Sequence, residues 1–393
     1  MSKSDRIQRA LRELSLHGWL FYGFQNQDPI AARILGLDPG KLSTRRWFYL
    51  IPAEGEPRKL VHGVEPDRLD HLPGEKTVYS RWSELATGLD TIFKGLSSVA
   101  MQYSPKNAVP YISRVDAGTV ELVRSLGVEV VSSADLVQIF EATWNEEQLA
   151  GHRRTASLLK KLVDEAFGEI ARCLRSGQAV TEYEIQRFLL RGYAENNLHA
   201  ETPPIVGVNE NASNPHYEPT KEKSSSIRKD DLVLLDVWAK ERSPESVYAD
   251  ITWMGYAGAA VPDKYENVFR VIREARDLGF EAIKDAFRQG KPIRGCDVDD
   301  VVRGHVAKKG YEKYFIHRTG HSIGVEDHAN GANLDNFETR DERRIIPGTA
   351  FSIEPGIYLP DFGLRTEINV HVSKEGPTIT TLPLQNEIVP ILR

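Results

Sequence analysis

Residues 232–238 read Leu-Val-Leu-Leu-Asp-Val-Trp, an apolar run with one acid, Asp236, inside it. Such a run is typical of a buried strand, and a buried carboxylate without a cation nearby is costly. Residues 248–253, Tyr-Ala-Asp-Ile-Thr-Trp, predict a second strand that carries Asp250, with residues 240–244 as the hairpin loop. Taken alone, each aspartate is explained more simply by a turn cap or a salt bridge.

Two glutamates repeat this pattern near the end of the chain. Glu354 stands in Phe-Ser-Ile-Glu-Pro-Gly-Ile-Tyr at 351–358, and Glu367 stands in the strand-like run 364–372. Four acids on four apolar strands are hard to explain by four separate salt bridges. A shared cluster of divalent cations, bound by hard carboxylate ligands, explains all four together.

A histidine-rich segment lies between these pairs of acids. Residues 317–324 read His-Arg-Thr-Gly-His-Ser-Ile-Gly, with His317 and His321 four apart and His328 further on. A lone histidine is usually a structural hydrogen-bonding residue, but this Gly-containing cluster favours a site. One imidazole among carboxylates suits manganese, cobalt, zinc or iron better than calcium or magnesium.

The composition narrows the class of protein. The 393 residues carry a net charge of -6, which argues against nucleic acid as a partner. Two distant cysteines, Cys173 and Cys296, predict no disulfide framework. The start of the sequence is amphipathic rather than signal-like, and no apolar run is long enough to span a bilayer. We therefore expect a cytoplasmic protein without a membrane partner.

The order of elements predicts two domains, 1–143 and 144–393. Strand-like runs alternate with helical stretches in the first part, which favours an α/β layout. Residues 143–146, Thr-Trp-Asn-Glu, predict a capping box in which Glu146 reaches back to Thr143, opening a helix to about Leu174. Helices and a mostly antiparallel sheet follow, an α+β layout.

The ordered set of Asp236, Asp250, the segment 317–324, Glu-Pro-Gly at 354–356 and Gly-Leu-Arg-Thr-Glu at 363–367 resembles the methionine aminopeptidase, prolidase and aminopeptidase P superfamily. In sequence, the segments 317–321 and 351–358 most resemble the motifs of the prolidase and aminopeptidase P branch. The resemblance implies a creatinase/prolidase-like N-terminal domain and a catalytic domain of the "pita-bread" fold.

The resemblance also implies a role for each matched residue. Two divalent ions per chain, manganese first and otherwise cobalt, zinc or iron, would be held by five ligands: Asp236, Asp250, His321, Glu354 and Glu367. A hydroxide bridging the metals would attack the peptide bond, with Glu354 as general base. Further catalytic or substrate-binding positions would be His216, His317, His328, Tyr358 and Arg365.

Recognition of the substrate termini is less specific in the sequence. Arg340 falls where prolidases carry an arginine that binds the substrate carboxylate. An exposed segment of charged residues with no binding role explains the same pattern equally well. Asp38, in the polar loop 36–44, is a candidate for the amine. Two departures from the family pattern are Trp253, in place of an arginine, and Asn369, in place of an acid.

The implied activity is hydrolysis of the Xaa-Pro bond in dipeptides, by a homodimer acting on small peptides. A second hypothesis is an aminopeptidase P, which removes the residue before proline from longer peptides. A third is a binding protein that keeps the fold without peptidase activity, and a fourth is a hydrolase or lyase that acts on a non-peptide substrate.

Overall fold

The computed structural model describes residues 2–38 and 40–393, and it divides into one unit that ends at Glu141 and another that spans Ala142–Arg393. Each unit has hydrophobic cores of its own. The elements of the first unit are α1 (Lys3–Glu13), β1 (Gly18–Gly23), α2 (Pro29–Leu35), β2 (Trp47–Pro52), β3 (Arg58–His62), β4 (Glu75–Tyr79), α3 (Trp82–Phe93), β5 (Ser98–Met101), α4 (Ala117–Ser125), β6 (Glu129–Ser132) and α5 (Ala134–Glu141).

A six-stranded mixed sheet in the order β4-β3-β2-β1-β5-β6 organises the described part of the first unit. Central strand β1 pairs antiparallel with β2 and parallel with β5. Successive side chains point to opposite faces, so Trp19 and Phe21 enter one core while Leu20 and Tyr22 enter another. Helices therefore cover both faces, as an α/β layout requires. The sequence did not predict α2, β4 or α5, which are short, with seven, five and eight residues.

The second unit contains the acids and histidines singled out above. Its elements are α6 (Glu146–Ser176), α7 (Glu182–Glu195), β7 (Leu198–His199), β8 (Ile205–Val208), β9 (Leu232–Glu241), β10 (Ala249–Tyr256), α8 (Asp263–Arg288), α9 (Gly295–Lys308), β11 (Ser322–Ile323), β12 (Ala350–Ile353), β13 (Gly356–Tyr358), β14 (Gly363–Arg365), β15 (Ile368–Ser373), β16 (Gly376–Ile379) and β17 (Val389–Pro390).

Two sheets and four long helices make the core of the second unit in the described residues. One sheet has the order β17-β10-β9-β7, with β8 also paired to β9, and the other has the order β11-β12-β15-β16. Helices α6 and α7 share a hydrophobic core with β9 and β10. Helices α8 and α9 share a second core with β12 and β15. Strands β10 and β15 contact each other, so the two sheets adjoin.

The predicted cap of α6 is wrong by two residues. Asn145, not Thr143, is the N-cap: its side chain accepts from the backbone N–H of Gln148, and the Gln148 side chain accepts from the Asn145 N–H. Glu146 is instead the first residue of the helix. Both tetrads fit the capping-box pattern, and in the structure only the second forms; the backbone N–H of Trp144, ahead of the helix, bonds to the carbonyl of Gly348 at 2.8 Å.

His152 in the first turns of α6 is fully buried and makes two short contacts. Its Nδ1 lies 2.7 Å from the carbonyl oxygen of Tyr248, and its Nε2 lies 2.6 Å from Thr380 Oγ1. A neutral imidazole can donate at one nitrogen and accept at the other. Burial lowers the pKa of His152 to about 4. Between about pH 6.5 and pH 4, His152 is therefore protonated in the unfolded chain but neutral in the native state.

We predict that His152 lowers the free energy of unfolding at acidic pH. The contribution of neutral His152 to the free energy of unfolding is fully present above about pH 6.5. It falls by about 1.4 kcal/mol per pH unit toward pH 4. The free energy of unfolding should therefore drop between pH 7 and pH 4.5 by about 2–3 kcal/mol more in the natural protein than in His152→Gln. Urea unfolding at both pH values measures the difference. The exposed-site control His71→Gln should behave as the natural protein, and an equal drop in His152→Gln would contradict the prediction.

Candidate metal centre

Strands β9 and β10 bring the two aspartates to one face. In their antiparallel register Asp236 stands opposite Thr252, and Asp250 stands opposite Trp238. Directly opposed residues share a face, as do alternate residues of one strand. Asp236, Thr252 and Asp250 therefore project together. Both aspartates are buried, as the sequence predicted.

The facing side is built by the ends of shorter strands. His321 immediately precedes β11, and Glu354 immediately follows β12. Ser352 connects them: the His321 N–H donates to Ser352 Oγ at 2.9 Å, and Ser352 Oγ lies 2.9 Å from Glu354 Oε1. The Glu354 N–H is bonded to the carbonyl of Thr319 at 2.8 Å. These bonds hold the histidine and the glutamate side by side.

The predicted strand 364–372 is broken beside Glu367, one of the predicted ligands. Strand β14 ends at Arg365, β15 begins at Ile368, and Glu367 lies in the gap. Glu354 and Glu367 thus stand just outside strands rather than within them. The break lets β14 pair with β13 while β15 pairs with β12, so apolar pattern alone could not reveal it.

The five predicted ligands converge. His321 Nε2 lies 3.5 Å from Asp250 Oδ2 and 3.3 Å from Glu354 Oε1. Asp250, His321 and Glu367 offer ligand atoms that all lie within 4.8 Å of one another. Asp236 connects to Glu367 through Thr252, whose Oγ1 is 2.9 Å from Asp236 Oδ1 and 2.9 Å from Glu367 Oε2. The sequence argument did not single out Thr252.

One guanidinium lies among these acids. Arg365 Nη2 is hydrogen-bonded to Asp236 Oδ2, its Nε donates to Thr252 Oγ1 at 3.0 Å, and its Nη1 donates to the hydroxyl of Tyr358 at 3.1 Å. Its Nε also lies 3.9 Å from Glu354 Oε2. The predicted pairing of Tyr358 and Arg365 beside the acids is therefore present in the structure.

The protonation of the acids reflects their crowding. Burial, and then the charges of neighbouring acids, raises the pKa of Asp250 and of Glu367 well above the ordinary values. Burial also raises the pKa of Asp236, against the opposing charge of Arg365. Glu354 differs, since burial alone would raise its pKa but the charges led by that of His321 bring it below the usual value.

The side chains fit a bound cation. Asp250 Oδ1 and Glu367 Oε1 are buried and have no hydrogen-bond partner among the described residues. A buried carboxylate oxygen without a donor costs several kcal/mol if ionised, and a divalent ion removes that cost. Carboxylates with one imidazole are a suitable ligand set for first-row divalent metals.

The remaining predicted histidines lie at differing depths. His317 is held on both sides, with Nε2 2.7 Å from the Tyr358 hydroxyl and Nδ1 2.7 Å from the Arg318 carbonyl, and burial lowers its pKa to about 4. The ring of His328 lies 4.1 Å from that of His321, whose charge lowers the pKa of His328 to about 2. His216 is exposed, and its charge also lowers the pKa of His328.

The two candidates for terminus recognition make local contacts of their own. Arg340 is exposed and pairs with Glu342 at 3.1 Å, whereas its neighbours Asp341 and Arg343 form a buried pair. Asp38 belongs to the first unit, where its Oδ1 accepts from the N–H of Gly40 at 2.8 Å. Pro39 in the same loop lies outside the described residues. Neither role in binding a substrate terminus gains support from these contacts.

Asp327 is an acid that the sequence argument missed. It precedes His328, and together with His321 these residues offer ligand atoms within 4.8 Å of one another. Burial raises the pKa of Asp250, and the charge of Asp327 raises it further. The signal available in the sequence was weak, since Glu326-Asp327 reads as an ordinary charged turn.

Comparison with known proteins places this site in a family. The family model of metallopeptidase family M24 matches residues 152–374. The Xaa-Pro dipeptidase of Lactobacillus helveticus is 34% identical over 196 residues, 49% of this chain and 49% of that protein, so the match spans about half of that relative. The Xaa-Pro dipeptidase of Lactobacillus delbrueckii subsp. lactis is 30% identical over 234 residues, 57% of this chain and 58% of that protein.

A solved structure covers the whole fold. The crystal structure of the prolidase from Pyrococcus horikoshii OT3 superposes with a TM-score of 0.61 and 21% identity, covering 98% of this chain and 99% of that one. The chain belongs to metallopeptidase family M24. The predicted family branch is confirmed, as is the fold class of an α/β N-terminal part followed by an α+β catalytic part.

We predict that the buried acids destabilise the metal-free protein. Asp250→Asn removes one of the crowded charges, so in chelator at pH 8 it should raise the melting temperature of the second unit by a few degrees, about 2–4 °C for each kcal/mol. Added Mn²⁺ should stabilise the natural protein more than the variant. Calorimetry with and without metal tests both statements. Asp361→Asn, at an exposed site, is the control; a lower melting temperature of Asp250→Asn in chelator would refute the prediction.

Proposed function

We propose that this chain is a metal-dependent dipeptidase that hydrolyses the Xaa-Pro bond. The observation that carries the proposal is the convergence of buried carboxylates on His321, with unpartnered oxygens on Asp250 and Glu367 in the described part of the chain. The ligands of two divalent ions would be Asp236, Asp250, His321, Glu354 and Glu367. The names of the Lactobacillus relatives supply the substrate class.

Bound divalent ions would lower the pKa of a water molecule and stabilise negative charge on the carbonyl oxygen of the scissile bond. Glu354 is suited to accept the proton of that water. Its Oε1 is held by Ser352 and its Oε2 faces Arg365. Its lowered pKa keeps it ionised, which a general base requires.

Tyr358 and His317 extend the hydrogen-bond network of Arg365 away from the acids. Tyr358 accepts from Arg365 and is bonded to His317, and burial raises its pKa to about 12, so it remains protonated. It can therefore donate to developing negative charge or pass a proton to the leaving nitrogen. His328 and His216 are exposed and would contact the substrate.

The choice of metal, the oligomer and the location remain predictions. The ligand set favours manganese, with cobalt, zinc or iron as substitutes. A homodimer and a cytoplasmic location are proposed from the resemblance and composition alone. None of the helices in the described part of the chain combines the length and apolar character needed to cross a bilayer.

An aminopeptidase P activity is the second candidate, and a specific observation favours it. Arg340, the predicted clamp for the carboxylate of a dipeptide, is exposed and already paired with Glu342. An enzyme that accepts longer peptides needs no such clamp. The two activities therefore differ in whether a free carboxylate directly after proline is required.

The discriminating assay compares matched substrates. The protein is stripped with chelator, restored with Mn²⁺, Co²⁺ or Zn²⁺, and given a Xaa-Pro dipeptide and a Xaa-Pro-Yaa tripeptide. We expect metal-dependent cleavage of the dipeptide alone. Cleavage of the tripeptide would establish the second candidate, and binding of two ions without either cleavage would reject the peptidase. Arg340→Ala should raise KM for the dipeptide if the clamp exists, with Arg344→Ala as a control from the same charge run.

A second prediction concerns the hydroxyl of Tyr358. Tyr358→Phe removes the group that bonds to both His317 and Arg365 while keeping the ring. We expect kcat to fall on the order of 10²-fold, as for loss of a proton donor, with KM changed little and metal content unchanged. Steady-state kinetics and metal analysis measure these separately. Tyr314→Phe, at a half-buried tyrosine outside the acid cluster, is the control, and an unaltered kcat for Tyr358→Phe would exclude the proton-donor role.

A further inference from the structure

The loop that follows β11 folds back onto that strand. The N–H of Ala329 bonds to the carbonyl of Ser322 at 2.8 Å, and the N–H of Gly331 bonds to Ser322 Oγ at 3.0 Å. These bonds close a short loop that contains Asp327 and His328. The loop thereby places a further carboxylate beside His321.

Asp327 has an oxygen with no protein partner in the part of the chain that the structure describes. Its Oδ1 is buried and makes no hydrogen bond there. Its Oδ2 lies 3.9 Å from His328 Nε2, a contact longer than a hydrogen bond. The guanidinium of Arg318 lies nearby, with Nη2 3.2 Å from His328 Nδ1. A structural role for the Asp327 carboxylate would leave that oxygen unexplained.

Two sets of ligand atoms share His321. One set comprises His321 with Asp250 and Glu367, and the second comprises His321 with Asp327 and His328. His321 Nδ1 lies 3.3 Å from the carbonyl of Ser322, whereas Nε2 faces Asp250 and Glu354. Because Nδ1 is occupied by the Ser322 carbonyl, Nε2 is the nitrogen open to a metal, and an ion bound there would be shared by both sets.

We propose that Asp327 is an additional ligand of the cation held by His321. The proposal rests on the cation centre of the proposed function and adds a residue to it. A further carboxylate oxygen raises the coordination number and the negative charge around that ion. Zinc prefers four ligands with nitrogen or sulfur among them, whereas oxygen-rich, six-coordinate sites suit manganese. Asp327 would therefore bias the site toward manganese.

The test measures metal binding, not activity. Asp327→Asn keeps the shape of the side chain and removes its charge, and Glu326→Gln makes the same change one residue away at an exposed position. Mn²⁺ affinities are measured by calorimetric titration of metal-free protein, and the visible spectrum is recorded with Co²⁺. For Asp327→Asn we expect Mn²⁺ affinity to fall at least about 10-fold at one of two ions, less loss for Zn²⁺, and a shifted Co²⁺ spectrum. Glu326→Gln should stay within about twofold of the natural protein.

The outcomes separate this proposal from the one it rests on. If the natural protein binds no ion, both fall. If it binds two ions and Asp327→Asn has unchanged affinities and a superimposable Co²⁺ spectrum, only the role of Asp327 is rejected. Circular dichroism of the metal-free variants checks folding. Should Asp327→Asn not fold, Asp327→Glu answers the same question, because a longer carboxylate ligand must shift the Co²⁺ spectrum and an unchanged spectrum overturns the proposal.

Discussion

Electrostatic repulsion among buried carboxylates is the constraint on which the second unit depends. Asp250, Glu354 and Glu367 lie beside His321, and the guanidinium of Arg365 pairs with Asp236 and lies 3.9 Å from Glu354. One guanidinium cannot neutralise four acids. The raised pKa values of Asp250 and Glu367 reflect the free-energy cost of ionising carboxyl groups that are buried beside other acids. The strands on both sides must therefore be held firmly enough to keep these groups together before any cation binds.

The surrounding architecture supplies that firmness through pairing and packing. Asp236 and Asp250 lie on the long antiparallel pair β9 and β10, which α6 and α7 cover with an apolar core. The opposing residues lie at the ends of short strands that α8 and α9 cover. Asn369 joins the two sides, since its Oδ1 accepts from the N–H of Asp250 at 2.9 Å. This contact gives a structural use to a position where the family more often has an acid.

Local sequence was informative where the signal was local. The long helices α6 and α8, the strands β9 and β10 and the alternation of elements in the first unit all followed from periodicity and from runs of apolar residues. The prediction failed where two local solutions were equivalent. Asn145 and Thr143 both begin a valid capping tetrad, and residues 364–372 read equally well as one strand or as two. Around Asn145 the reciprocal bonds with Gln148 form, and in the run 364–372 the pairing of β14 with β13 and of β15 with β12 divides the strand.

The sequence by itself determined the identity and order of the proposed metal ligands, because an acid within an apolar run is costly wherever the chain folds and so marks a candidate site. Only the tertiary structure decided which groups meet there. Thr252 became a bridge between Asp236 and Glu367 through the register of a hairpin, and Asp327 came beside His321 through a loop closed on Ser322. It also left Arg340 at the surface. The contact of Thr252 with Glu367 joins residues 115 positions apart in the chain, and no local pattern encodes it.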